Sequence, residues 1–330
     1  MGKSTKNLKA ALKSQQSRLK ANQKLLHAAQ VAEHKIRTQG QRSTTSNTAS
    51  GPKGKAKQTI HPPKRPTIPF KSTDSVLLIG EGNFSFARAL IQSPALELCL
   101  SPNNITATAY DSERECYEKY PEAKLIVSDL RSTGMEILFS VDGTCLEKNS
   151  SLKGRRWDRI VWNFPHAGKG ITDQDRNILS NQLLVLDFLR SAANILKHGH
   201  IPSFSTSGKK KKLDDDDSED DDKEITTGNT DLEDAFVDES ITTRGTVLIT
   251  LRNVVPYTQW DIPRLAKTPP LGTKAPNPQY ILLRSFQFYR NIWTGYEHRM
   301  TKGERAHGTG TTGEGGEDRT WEFCLRHETI

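Results

Sequence analysis

From about Ser75 onward, apolar runs of strand length alternate with stretches in which apolar residues recur at helical spacing. Val76-Leu77-Leu78-Ile79 is four apolar residues in a row, bounded by a turn signal, and reads as a buried strand of a parallel sheet. It breaks on Gly80-Glu81-Gly82, after which Phe84, Ala87, Leu90 and Ile91 fall on one helical face. Ile105–Asp111 and Met135–Asp142 are second and third β-rich runs, each ending on an acid, and Trp157–Pro165 is a fourth. Leu183, Leu184, Leu186, Leu189, Ala193 and Leu196 give the stretch Asn181–Leu196 a helical face that stops at His198-Gly199, a basic residue before a C-terminal glycine. Gly245–Leu251 supplies a fifth strand, and Tyr280–Phe288 and Trp321–Arg326 supply two more. This alternation predicts an α/β, Rossmann-like architecture, a mainly parallel seven-stranded sheet with helices on both faces. The last two strands have no helix between them, so an antiparallel edge strand is expected.

Two stretches lack this patterning. Residues 1–71 hold 16 Lys or Arg against a single acid, Glu33, in a background rich in Ser, Thr, Gln and Gly. Such a segment buries too little apolar surface to order itself, and a disordered basic tail is expected. Within it, Leu8, Leu12, Leu19 and Leu25-Leu26 recur loosely at helical spacing, which leaves room for a basic helix. The tail suits a targeting signal or an arm for polyanions, which gains affinity by releasing counterions. The second stretch, about 202–244, sets Lys209–Lys212 against Asp214–Asp217, Glu219 and Asp220–Asp222, and reads as a disordered charged insertion. The expected α/β domain is therefore 72–330, interrupted by that insertion.

The chain is 34% hydrophobic, with a net charge of +8. It shows no apolar run of membrane-spanning length and no secretory signal. A soluble intracellular protein, with no membrane partner and acting as a monomer, is expected. Cys99, Cys116, Cys145 and Cys324 are scattered without a C-x-x-C pair, so neither a metal site nor disulfides are expected.

The glycine turn marks a nucleotide-sized pocket at the carboxyl end of the first strand. A dinucleotide fingerprint would place a third glycine or alanine where Ser85 stands between Phe84 and Phe86, and an acid about 20 residues on. Here the nearest strand-ending acid, Asp111, lies 29 residues after Gly82. The bulky turn suits a smaller cationic nucleoside such as S-adenosyl-L-methionine better than a nicotinamide or flavin cofactor; a purely structural turn is the third reading. Asp111 would accept both ribose hydroxyls, being acceptor-only when ionised, and Asp142 would accept from an adenine amino group. Either acid would equally serve as a helix N-cap.

Asn163-Phe164-Pro165-His166 is the second signal. At a strand end it presents a side-chain amide, with proline fixing the turn. Methyl transfer needs an acceptor held in line and a route for its proton, and His166, Asp173 and Asp175 are candidates for the latter. Thr172-Asp173 also resembles a helix start. Gly168-Lys169-Gly170 lacks the remainder of a phosphate loop, so ATP hydrolysis is not expected.

Taken together, Leu78–Phe86, Ala109–Ser112, Phe139–Asp142, Asn163–His166, Gly170–Asn177 and Gly295–Arg299 resemble the large-subunit ribosomal RNA uridine-N(3)-methyltransferase-like family, its fungal members included. The resemblance spans roughly Asp74 to Met300. It implies a class I S-adenosylmethionine-dependent methyltransferase fold with an antiparallel edge strand, S-adenosyl-L-methionine as cofactor and large-subunit rRNA or a pre-ribosome as partner. It also implies a nucleolar or nuclear location, with the cytoplasm second. The expected cofactor-binding set is Gly80, Glu81, Gly82, Asn83, Phe84, Ser85, Asp111, Asp142 and Asn163; the expected catalytic set is Asn163, Pro165, His166 and Asp173. Asn163 would hydrogen-bond the pairing edge of the base, Phe164 or Trp162 would stack on it, and His298 and Arg299 would orient the phosphate backbone. A non-catalytic RNA-binding assembly factor on the same fold is the competing class, and a nicotinamide oxidoreductase the third. About 45 residues separate Leu196–Gly199 from Gly245, and the insertion is expected to precede the fifth strand and leave the sheet intact.

Overall fold

The computed structural model describes residues 12–14, 16–17, 66–92, 100–202, 242–271, 276–301 and 317–327. Seven strands form one sheet: β1 (Val76–Leu78), β2 (Ile105–Thr108), β3 (Glu136–Leu138), β4 (Arg159–Asn163), β5 (Thr246–Arg252), β6 (Tyr280–Gln287) and β7 (Asp318–Leu325). Their spatial order is β3-β2-β1-β4-β5-β7-β6, parallel from β3 through β5. This is the seven-stranded, mainly parallel sheet that the alternation predicts. One detail differs: the antiparallel strand is β7, and it lies one position in from the edge, between β5 and β6. The long connection after β6 lets β7 slot in beside β5, so β6 takes the edge.

Side chains alternate across the sheet as strand geometry requires. Leu77, Ile160, Val247 and Ile249 pack with the helices α4 (Gln174–Ala193) and α5 (Ile262–Lys267) on one face. Val76, Leu78, Ile105, Ala107, Val161 and Leu248 pack with α1 (Ser85–Gln92), α2 (Glu113–Lys119) and α3 (Ala123–Ser132) on the other.

α4 begins at the helix start read at Thr172-Asp173, seven residues before the apolar face that opens at Asn181. Its first turns are polar, and Asp173 caps them by accepting from the Arg176 N–H at 2.8 Å. Two of its polar side chains are buried because they hold neighbouring loops. The Asn181 Oδ1 accepts from the Ala167 N–H at 2.7 Å, and the Gln182 amide donates to the Gln259 carbonyl at 3.3 Å.

The insertion leaves β5 intact. His200 and Thr243 form a parallel bridge at its two ends, with the Arg244 N–H donating to the His200 carbonyl at 2.8 Å, so the chain departs and returns at one point. The insertion itself (203–241) lies outside the described residues, as does most of the basic tail. Residues 12–14 and 16–17 are helical, Leu12 is fully buried in the core beside α4, and the Gln16 amide donates to the Asp175 carbonyl at 3.5 Å. At these positions the tail is docked, which its composition does not predict. The apolar spacing around Leu12 does account for it.

Among the described residues, no helix is long and apolar enough to cross a membrane, and no group of three His, Cys, Asp or Glu is arranged to hold a metal. Cys116, Cys145 and Cys324 are free thiols. Cys116 donates to the Gly82 carbonyl at 3.3 Å, and burial pushes its pKa up to about 12, so it supports the glycine turn and is no nucleophile.

Candidate active site

Parallel pairing brings the carboxyl ends of β1, β2 and β4 to one rim, and backbone bonds extend the pairing into the turns. The Ile79 N–H donates to the Val161 carbonyl at 2.8 Å, and the Glu81 N–H to the Thr108 carbonyl at 2.8 Å. The result is a cleft of about 690 Å³, counting its open mouth, into which Gly80, Glu81, Gly82, Asn83, Ser85, Asp111 and Asn163 all project. Its remaining lining is Tyr110, Tyr120, Phe164 and the late stretch Tyr296–Arg299 with Thr301.

The turn is built for close approach. Gly80 has φ +65°, and a Cβ there would sit 3.1 Å from the Trp162 indole nitrogen; at Gly82 it would press on the Arg299 Cβ at 3.4 Å. The N–H groups that open α1 are already satisfied. Asn83 Oδ1 accepts from Ser85, and the Glu81 carboxylate accepts from Ala87 at 3.2 Å and from Phe86. A pyrophosphate laid on this helix start would find those donors taken, which argues against a dinucleotide. Burial pushes the Glu81 carboxyl up to about 7 against the pull of those hydrogen bonds.

Asp111 accepts through Oδ1 from the Lys119 ammonium at 2.6 Å, and Tyr110 beside it is 70% exposed. An acceptor carboxylate, an exposed aromatic ring, an anion-capable Glu81 and a turn without side chains form a donor set suited to a cationic nucleoside. The residues present therefore fit S-adenosyl-L-methionine.

Other expected residues stand elsewhere. Phe84 (φ +61°) is fully buried edge-on to Phe139, with centroids 5.5 Å apart, and holds the turn from behind. Asp142 caps the following 3₁₀ turn, accepting from the Thr144 N–H at 2.8 Å and hydroxyl at 2.7 Å. Pro165 is buried. His166 turns away into a separate open depression floored by Trp260 and Tyr257, and its Nδ1 accepts from the Gly168 N–H at 2.9 Å. Asp173 is the α4 cap already described. Of the expected catalytic set, the structure brings Asn163 alone to the cleft, because the loop after Phe164 is drawn toward α4 by Asn181.

Asn163 is unusual. Both its Oδ1 and its Nδ2 are buried without a hydrogen-bond partner. A buried carboxamide left unpaired costs a few kcal/mol (roughly 1–3), and its position at the end of β4 faces the cleft. Trp162 packs on Phe188 (centroids 4.4 Å apart) and belongs to the core, so it is not a stacking platform.

The late stretch that sequence reasoning placed on a phosphate backbone lies inside the site. Arg299 pairs with Glu122 and Glu297, each at 2.7 Å. The His298 ring rests 4.3 Å from the Phe164 ring, whose face also carries the Arg290 guanidinium at 5.0 Å. Burial, then Arg290 and Arg252, push the His298 pKa down to about 4. Tyr110, Tyr296 and Glu297 stand inside the quoted motifs with no role expected of them, and Tyr120 lies outside all of those motifs.

The model of the BMT5-like rRNA (uridine-N3-)-methyltransferase family matches residues 77–300. The chain belongs to this family. The matched span takes in the glycine turn, Asp111, the Asn163 turn and His298. Within the wider set of relatives, the chain is 28% identical over 260 residues to the 25S rRNA (uridine(2634)-N(3))-methyltransferase of Saccharomyces cerevisiae, covering 72% of this chain and 69% of that protein. It is 40% identical over 131 residues to an uncharacterized Arabidopsis thaliana protein, covering 39% of this chain and 60% of the other. A third relative, the mouse ferredoxin-fold anticodon-binding domain-containing protein 1 homolog, is 37% identical over 122 residues, and the match spans 18% of its length. Solved structures aligned to this family member include the rRNA methyltransferase AviRa of Streptomyces viridochromogenes (11% identity, TM-score 0.29, 78% of each chain). Another is the glycopeptide N-methyltransferase MtfA complexed with S-adenosyl-L-methionine (10% identity, TM-score 0.28, 76% of this chain and 80% of that one).

Proposed function

We propose that this methyltransferase uses S-adenosyl-L-methionine to methylate N(3) of a uridine in large-subunit rRNA, in the nucleolus or nucleus. The observation that carries the reading is the Asn163 carboxamide, buried with both polar atoms unpaired at the rim of the cleft that holds the glycine turn and Asp111. An orphaned donor and acceptor at a substrate-facing strand end await a ligand that presents the complementary pair.

Gly80, Gly82, Glu81 and Asp111 would hold the cofactor, which supplies an electrophilic methyl group on a sulfonium when bound. The protein's own part is positioning. Uridine N(3) lies on the pairing edge and is unreachable in a duplex, so the target base must be unpaired or flipped out. The Asn163 Nδ2 donates to a carbonyl oxygen flanking N(3), fixing the base in its plane, and Phe164 closes one side. The residues 295–301, tied down at several points, cover the turn and shield the site from water. The basic tail, about +15 over residues 1–71, supplies affinity for phosphates that falls with salt.

The test is to incubate the protein with isotope-labelled cofactor and unmodified large-subunit rRNA and to map modified nucleosides by mass spectrometry. Label in 3-methyluridine is expected, with Asn163→Ala binding cofactor normally and transferring at most about a hundredth as fast. RNA binding with no label incorporated would favour the assembly-factor reading.

A further inference from the structure

His298 has no part in the reading above, yet it lines the same cleft as Asn163. Its position is fixed from both sides in the chain. Ser85 holds the Glu297 backbone, Tyr120 donates to the Met300 carbonyl at 2.7 Å, and Arg299 is clamped by Glu122 and Glu297. The ring packs on Phe164, the residue next to Asn163.

Charged groups surround it on several elements. Arg252 closes β5 and Arg290 follows β6; they flank Asp318 at the start of β7, at 3.9 and 2.6 Å. Glu81 enters the cleft from the glycine turn, and Glu297 and Arg299 adjoin it in the chain. Burial, then the two guanidiniums, disfavour the imidazolium, so the ring is neutral at physiological pH. A neutral imidazole carries one N–H and is a hydrogen-bond donor whose own charge does not change during reaction. Arg290 and Arg252, which oppose a second proton on the ring, also favour an anion placed beside it.

We infer that His298 is a second donor to the target base, hydrogen-bonding uracil O4 so that the imide N(3)–H ionises more readily and uracil is preferred over cytosine. The inference deepens the uridine-N(3) reading and rests on it. In the step it serves, the N(3)–H bond breaks and the proton leaves through the open mouth of the cleft to solvent water; the electron pair left behind, spread over N(3) and the flanking carbonyl oxygens, is the pair that would form the N(3)–methyl bond as the methyl–sulfur bond breaks. Donors from Asn163 and His298 meet the charge developing on those oxygens, in the manner of an oxyanion hole. Cytosine presents an amino group where uracil has O4, so a donor aimed at O4 would meet another donor.

The test compares wild type, His298→Ala and His298→Gln in two measurements. The first is the single-turnover methylation rate from pH 6 to 9.5. The second, made without cofactor, is affinity for an RNA bearing either uridine or cytidine at the target position. His298→Ala is expected to slow methylation about 100-fold near pH 7, with the deficit shrinking as rising pH ionises the imide unaided. It is also expected to lose most of the uridine preference, while His298→Gln, which keeps a donor, retains much of both. A loss that is the same at every pH, or an unchanged uridine preference, overturns the role. If the wild type methylates nothing, the function proposed above fails, and the affinity comparison still decides whether His298 selects uracil.

Discussion

The Ser85 hydroxyl closes a two-way clasp on Glu297, accepting from its backbone N–H at 3.0 Å and donating to its carbonyl at 3.1 Å, across 212 residues of chain. The first residue of α1 thereby holds the stretch that covers the glycine turn, and cofactor cleft and covering segment form one unit. Ser85→Ala removes both bonds and leaves the Glu297 amide unmatched. Cofactor affinity should fall about 10-fold or more, with a loss of roughly 1–3 kcal/mol in stability. Calorimetric titration and denaturant unfolding read the two effects separately.

Asp111 is held by Lys119 at 2.6 Å, with one carboxylate oxygen engaged in that bond. Asp111→Ala is expected to weaken cofactor binding about 100-fold or more, since hydrogen bonds to a charged acceptor are each worth roughly 1.5–3 kcal/mol. Lys119→Ala removes the orienting partner alone and should cost much less. Equilibrium binding of labelled cofactor distinguishes the two, and equal losses would show that the ion pair itself is what matters.

Glu81 titrates near neutrality because it is buried, rising from an ordinary 4.5 to about 7. Its folded value lies above its unfolded one, so its contribution to stability is full below pH 4.5 and is lost as pH rises through about 7. Across that window the loss is at most about 3 kcal/mol, and Glu81→Gln should flatten the pH dependence of unfolding there. A cationic ligand favours the carboxylate, so cofactor affinity should rise with pH up to about 7 and then level off. Titrations in two buffers of different ionisation enthalpy would detect the released proton, and Glu81→Gln should abolish it.

Arg159 ties the far end of the sheet, reaching Asp74 at 2.9 Å and Glu322 at 2.8 Å, all three nearly inaccessible to solvent. Glu322 also takes Arg284 at 2.6 Å. Removing one partner strands buried charge, so Glu322→Ala should cost about 3–5 kcal/mol and leave the cleft's ligand affinity unchanged in the protein that remains folded. Chemical unfolding with the cofactor titration as control measures both.

Much of this was legible in the residues. Val76–Leu78, Ile160–Trp162 and Val247–Ile249 are apolar on both faces of the sheet, and a strand buried on both faces cannot hide that in its sequence. Gly80 and Gly82 were equally legible, because a left-handed turn and a close approach exclude side chains. The start of α4 was legible as a cap signal at Thr172-Asp173, while the apolar face alone placed it at Asn181, because Asn181 and Gln182 are polar side chains buried to hold neighbouring loops.

Strands, their alternation with helices, the glycine turn, the acid that follows β2 and the amide that ends β4 could all be read from the residues. These are local consequences of burial and backbone geometry, written within a few residues of where they act. Which of the candidates meet was settled by packing across the whole chain. It set β7 inside β6, sent His166 and Asp173 away from Asn163, and brought His298 from the far end of the domain onto Phe164. No periodicity encodes such a contact. It follows from strand order, from the clasp between Ser85 and Glu297, and from buried charges that acquire their effect once the chain has closed around them.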